Sequence, residues 1–159
     1  MTELVPTGAA AAGPVLDEQL CFALYTASRL VTRAYGPILA ELGLTYPQYL
    51  TMIALWETGA PASVSDLGAR LRLDSGTLTP LLKRLQTQGL VTRVRDRTDE
   101  RRVLVGLTPA GAALRTAACL VPDRMLERYG ADPGQLSGLK HILDDMIAAL
   151  DPPAPADPA

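Results

Sequence analysis

Residues 71–107, LRLDSGTLTPLLKRLQTQGLVTRVRDRTDERRVLVGL, restrict the possible folds more than any other stretch of the chain. Leu78, Leu81, Leu82 and Leu85 recur at helical spacing and stop before Gly89. Val91, Arg93 and Arg95 then follow at strand spacing, as do Val103, Val105 and Leu107 beyond a charged turn. A change of period from 3.6 to 2 across a glycine predicts a helix that feeds a two-stranded hairpin. Just upstream, Ser63–Leu71 reads as a compact amphipathic helix with hydroxyl residues to cap it, Arg72-Leu73 as a turn, and Asp74 or Ser75 as the next helix start. Two short helices, a brief turn and a basic hairpin make a winged helix-turn-helix, in a chain that is mainly α with a small β-wing.

The flanking segments predict further helices. One covers Leu16–Leu42, with Asp17 as its N-cap and Leu20, Leu24, Ala27 and Val31 on one face. Gly36-Pro37 is expected to interrupt it, leaving a short second helix that Gly43 closes. Another helix should run from Tyr46 to Glu57, followed by an extended link at Ala60–Ala62 that adds a small third strand. Thr108-Pro109-Ala110-Gly111 opens a helix towards Arg128 that Pro122 should kink or divide, and a last helix spans Pro133–Leu150. The organisation expected is a flexible tail at 1–15, a single domain at 16–150 and a proline-rich tail at 151–159. Within the domain, the winged unit occupies about 46–107. Helices at about 16–42 and 109–150 have wide apolar stripes and no sheet to cover, so a second subunit is their expected cover.

Composition narrows the classes. Seven of the 159 residues are aromatic, which leaves Leu, Val and Ala to fill the core. No stretch approaches the ~20 apolar residues that span a bilayer. The first fifteen residues lack the basic start and apolar run of a secretory signal, so a cytoplasmic protein without membrane contact is expected. Cys21 and Cys119 are too few for a disulfide scaffold, and the lone His141 gives a metal site or histidine triad little to work with; neither metal nor cofactor is expected.

Net charge is −2, yet residues 83–102 carry seven basic side chains against three acidic ones, a local +4. Phosphates respond to the local field more than to the total, so double-stranded DNA remains the expected partner. On the second helix of the motif, Ser75, Thr77 and Thr79 are short hydrogen-bonding candidates for base edges. Pro80 could touch a thymine methyl, and Lys83 and Arg84 suit bases or phosphates. Thr77 and Thr79 could equally cap the helix or face water. Arg93 and Arg95 flank the hairpin strand, while Arg97 and Arg101 crowd its tip, where an arginine can enter a narrow minor groove. Asp99 is placed to orient Arg101, and Glu100 reads as solvated surface.

The stretches LTYPQYLTMIALWE and SVSDLGARL…LTPAG, with Asp99-Glu100-Arg101-Arg102 ahead of Leu107-Thr108-Pro109-Ala110-Gly111, resemble the MarR family of winged-helix regulators over roughly Leu16–Leu150. The opening LDEQLCFALYTASRLVTRAYGPILAELGLTYPQYL is similar to the organic hydroperoxide resistance branch, whose signature positions are filled by Cys21, Tyr35 and Tyr46. That resemblance implies a homodimeric repressor on a pseudopalindromic operator, released when an organic hydroperoxide oxidises the cysteine. Tyr35 and Tyr46 would then donate hydrogen bonds to the thiolate in the family's subunit arrangement.

The residues themselves are compatible with that chemistry. A cysteine about one turn inside a helix feels the positive end of the helix dipole, which favours a thiolate, and thiolate is the form that attacks a peroxide. Phe22, Leu24 and Tyr25 offer an apolar surface for an alkyl chain. The bland alternative is a small core cysteine with packing tyrosines. Cys119 precedes Pro122 among Ala117, Ala118, Leu120 and Val121 and reads as a buried structural thiol, so an oxidised Cys21 is expected to be capped by small thiols or overoxidised. Rival readings are a MarR-type regulator released by a small aromatic ligand, a thiol peroxidase, and a DNA-packaging protein. The DNA-binding block argues against an enzyme.

Overall fold

The computed structural model describes residues 14–130 and 132–151. In chain order the elements are α1 (Leu20–Ala40), α2 (Tyr46–Thr58), β1 (Ala62–Ser63), α3 (Val64–Leu71), α4 (Ser75–Thr87), β2 (Val91–Arg95), β3 (Val103–Leu107), α5 (Pro109–Ala118), α6 (Val121–Tyr129) and α7 (Pro133–Leu150). The strands form one antiparallel sheet in the order β1-β3-β2. Val91 faces Leu107 and Arg95 faces Val103 across the hairpin, while the expected third strand is β1, pairing Ala62 with Val105. The architecture is mainly α with a small sheet, arranged as a winged helix-turn-helix.

Caps fix the motif's geometry. Ser63 Oγ accepts the Asp66 N–H and donates to the Asp66 carboxylate, starting α3. Asp74 Oδ1 accepts the Thr77 N–H at 2.9 Å, starting α4. At the wing's far end Thr108 Oγ1 accepts the Gly111 N–H and donates to the Gly89 carbonyl. Gly111 is required there, because a Cβ would sit 2.0 Å from the Leu90 carbonyl oxygen. Its own carbonyl accepts the buried Trp56 indole N–H at 2.9 Å, locking α2 to α5. These bonds give the Leu-Thr-Pro-Ala-Gly phrase a structural reason. Beneath them lies one core, in which Leu67, Leu78, Leu82, Leu85, Val91 and Val105 are fully buried with Met52 and Leu55 of α2.

Three expectations need correcting. Asp17 does not cap α1: Leu16–Glu18 form a separate 3-10 turn, and Gln19 is the N-cap. Gly36-Pro37 does not interrupt the helix either. Proline removes one backbone bond at a cost of about 3 kcal/mol, but the next two residues, Ile38 and Leu39, are buried, and each such side chain returns about 1.5–3 kcal/mol. Gly43, at φ +68°, shapes the turn after α1 as expected. Cys119 is exposed rather than buried. Pro122 divides the segment into α5 and α6, Ala118 and Val121 take the inward positions, and Cys119 and Leu120 turn outward at the break.

The terminal helices contrast with this core. Among the described residues α7 buries none, and α1 buries only Ile38 and Leu39. Leu20, Leu30, Leu139, Ile142 and Leu150 are each more than half exposed. The expected tails lie outside the described residues apart from Pro14, Val15 and Asp151. No helix of the described chain is long and apolar enough to cross a membrane.

Candidate nucleic-acid interface and thiol site

The cap at Asp74 orients α4, the second helix of the motif. With Leu78, Leu81, Leu82 and Leu85 turned into the core, Ser75, Thr79, Pro80, Lys83 and Arg84 form the exposed side of α4. Ser75, Thr79 and Lys83 follow one another at four-residue intervals and so lie on one stripe. Thr77 differs, since its hydroxyl donates to Asp74 Oδ2 at 3.0 Å and serves the cap. The backbone and hydroxyl bonds from Thr77 hold the Asp74 carboxyl below the ordinary aspartate range, so the cap stays ionised near neutrality.

The wing splits its arginines into two groups. Arg95, Arg97 and Arg101 are exposed around the tip, and the Arg101 side chain is 92% exposed. Asp99 Oδ1 accepts from both the Arg101 backbone N–H (3.1 Å) and its Nε (3.3 Å). Asp96 accepts from the Thr98 N–H and hydroxyl, which closes the turn. Arg93 stands apart: it is half-buried opposite Val105, on the face of the sheet that carries buried Val91, and its Nε has no partner among the described residues. Arg102, outside the expected reading set, reaches Asp66 of α3 at 3.5 Å and braces the wing against the helix-turn-helix.

The thiol and the tyrosines do not meet within one chain. Cys21 is the second residue of α1 and is exposed. Tyr35 lies fourteen residues further along the same helix, about 21 Å away at 1.5 Å per residue. Tyr35 does meet Tyr46 of α2, with ring centroids 4.7 Å apart, and Tyr49 at 6.1 Å. Burial, and after it the hydroxyl of Tyr129, pushes the Tyr35 phenol far above the ordinary tyrosine value; burial also raises Tyr46 and Tyr49. All three therefore remain neutral hydrogen-bond donors at any physiological pH.

Sequence reasoning missed Tyr49 and Tyr129. Tyr49 was within reach of it, three residues after Tyr46 on one helix face. Tyr129 was not, because its proximity depends on α6 folding against α1, where Arg124 clamps Glu41 with two bonds of 2.8 and 2.7 Å. Near Tyr49, a cleft of about 230 Å³ is lined by Ile53, Trp56, Ala118, Cys119 and Pro122. Among the described residues no group of three His, Cys, Asp or Glu side chains is placed to hold a metal.

Residues 33–115 match the family of the transcriptional regulator SarA/Rot. The chain is 47% identical over 135 residues to the organic hydroperoxide resistance transcriptional regulator of Bacillus subtilis, covering 85% of this chain and 91% of that one. This chain belongs to the MarR-type winged helix-turn-helix transcriptional regulators. Another relative of this MarR-type protein, the regulator TtmR of Methylorubrum extorquens, is also 47% identical over 86% of the chain, which spans 64% of TtmR's length. Among solved structures, reduced AbfR bound to DNA superposes with a TM-score of 0.71 at 33% identity, covering 85% of this chain and 94% of AbfR. Escherichia coli MarR in its apo form gives a TM-score of 0.65 at 25% identity, with 81% and 97% covered. As a MarR-type regulator the protein is a DNA-binding transcriptional regulator, and its organic hydroperoxide relative marks the branch it resembles.

Proposed function

We propose that this MarR-type regulator is a homodimeric repressor that releases its operator when an organic hydroperoxide oxidises Cys21. The observation that carries the reading is the separation of an exposed Cys21 at the start of α1 from the neutral, half-buried pair of Tyr35, near the other end of α1, and Tyr46, on α2. A second subunit packed against the segments at about 16–42 and 109–150, chiefly the uncovered faces of α1 and α7 within them, would bring one chain's sulfur to the other's Tyr35 and Tyr46. The thiolate attacks the terminal peroxide oxygen, the O–O bond breaks, and the leaving alkoxide takes a proton to become an alcohol. Cys21 is left as a sulfenic acid. A low-molecular-weight thiol then condenses with it, giving a mixed disulfide and water. AbfR, a neighbour in fold, has been captured on DNA in reduced and overoxidized forms and separately as a disulfide, so thiol state varies in at least one such regulator.

Ser75, Thr79, Pro80, Lys83 and Arg84 would face the major groove, with Arg95, Arg97 and Arg101 of the wing at the adjacent minor groove. Arg93, half-buried on the inner face, would act as a support. The cleft beside Trp56 and Cys119 favours one second reading, a regulator released by a small aromatic ligand. A gel shift on the protein's own upstream DNA separates the two. Cumene hydroperoxide should abolish the shift and a thiol reductant restore it. Release by an aromatic acid alone, with peroxide inert, would favour the second reading. Intact mass after peroxide and a small thiol should rise by one adduct at Cys21, whereas a Cys21–Cys119 bond between subunits would count against small-thiol capping. Turnover of peroxide with a thiol reductant and no DNA should be negligible, as befits a sensor and not a peroxidase.

A further inference from the structure

The turn between α1 and α2 is fastened to the end of the reading helix through two glutamines to which neither DNA contact nor sensing has given a role. The Thr45 N–H donates to Gln48 Oε1 at 2.8 Å, Gln48 Nε2 donates to Gln88 Oε1 at 3.2 Å, and Gln88 Nε2 donates to the Gly43 carbonyl at 2.8 Å. Gln48 is only 5% exposed. Gln88 is the C-cap of α4 and lies forty residues away in sequence. Capping does not need this bridge, because the Gln88 N–H already bonds the Arg84 carbonyl at 2.9 Å. Parting the turn from the helix end would leave the buried Gln48 amide unsatisfied, and such groups are strongly disfavoured.

At its other end the bridge meets the tyrosine cluster. Thr45 is the N-cap of α2, and the next residue, Tyr46, packs against Tyr35 with its ring tilted by 46°. On the DNA side, Lys83, Arg84 and Gln88 line one open groove with Gly43, Thr45 and Gln48. Thr45 and Gln48 thus form a continuous hydrogen-bonded path from the residue beside Tyr46 to the helix end that carries Lys83 and Arg84.

We propose that the Gln48–Gln88 bridge is the positioning link through which the tyrosine cluster sets the seating of α4. The link rests on the function proposed above for its oxidation step, but it can be tested without peroxide. The coupling is local and physical, and a double-mutant cycle measures it. Operator affinity of the full chain at fixed salt is measured for the wild type, Tyr46→Ala, Gln88→Ala and the pair. Tyr46→Ala is expected to weaken binding about tenfold when Gln88 is present and less than about twofold when it is absent. Equal effects in the two backgrounds, or no effect in either, would overturn the link. Tyr35→Leu repeats the cycle should Tyr46→Ala fail to fold.

Gln88→Glu keeps the acceptor for Gln48 Nε2 but cannot donate to Gly43, so it should lose coupling as Ala does. A bridge with a merely structural role would lower thermal stability in these variants and leave the coupling intact. In a second arm, the affinity loss caused by cumene hydroperoxide should shrink at least about fivefold in Gln88→Ala. Should the wild type ignore peroxide, the account of Cys21 fails, while the cycle still decides the bridge.

Discussion

The reading unit and the terminal helices are built from similar leucine-rich segments, yet one is finished within a single chain and the other is not. Leu78, Leu82 and Leu85 of α4 vanish into a core closed by α2, α3 and the sheet. Leu139, Ile142 and Leu150 of α7 have the same helical spacing and stay in solvent. The same division runs through the chemistry. The surfaces proposed for DNA are complete on α4 and the wing, whereas the thiol and the phenols proposed to work together lie apart, Cys21 at the start of α1, Tyr35 near its other end and Tyr46 on α2. Apolar periodicity shows which face of a helix must be covered; only the covering element says whether the site it serves is complete.

The contrast can be broken most forcefully at the core. Leu82→Ala should cost about 2–5 kcal/mol of folding stability, because it leaves a cavity in a close-packed interior; urea titration checks it. Ile142→Ala should cost much less by the same measurement within one chain. Ile142→Glu should instead act between chains, weakening the proposed dimer by about a hundredfold, since a charge would be buried in an apolar seam; sedimentation at decreasing concentration reads this out. A variant that stays as dimeric as the wild type would place the interface elsewhere.

On the reading side, Arg101→Ala should weaken operator binding by about 1–3 kcal/mol and lower the salt dependence if the lost contact is to phosphate. Arg93→Ala should act mainly through wing stability, as its half-buried place implies. The smallest effect concerns alkali. Tyr35, Tyr46 and Tyr49 have phenols raised above their unfolded value of 10.0, so the unfolded chain loses those protons first. Stability should hold up to about pH 10 and fall as the pH climbs towards the folded values, more shallowly in Tyr35→Phe; thermal melts across that range check it.

Much of the fold was legible in the sequence because its punctuation is strong. Asp74, Ser63 and Thr108 announce helix starts, Gly89 an end, and the alternation around Asp96–Arg102 a hairpin. Boundaries failed where tertiary packing outweighed local rules. Pro37 should end a helix, but burial of Ile38 and Leu39 carries α1 through it. Cys119 looked buried from its apolar neighbours, yet the α5–α6 break that Pro122 signalled turns it outward. The exposed side chains of α4 proposed to read DNA were visible as the polar stripe opposite the leucines. Tyr129 and the glutamine bridge were hidden, because residues 40 or more positions apart came together only through the packing of whole helices.

In the proposed dimer, Cys21 of one subunit works with the tyrosines of the other. A heterodimer pairing a Cys21→Ser subunit with a Tyr35→Phe/Tyr46→Phe subunit tests it directly. Its single remaining Cys21 belongs to the chain without the two phenols and faces the chain that keeps them. The rate at which cumene hydroperoxide oxidises that thiol, followed by intact mass, should match the wild-type rate per site. A rate as slow as that of the Tyr35→Phe/Tyr46→Phe homodimer would show that the sulfur does not rely on the partner's phenols.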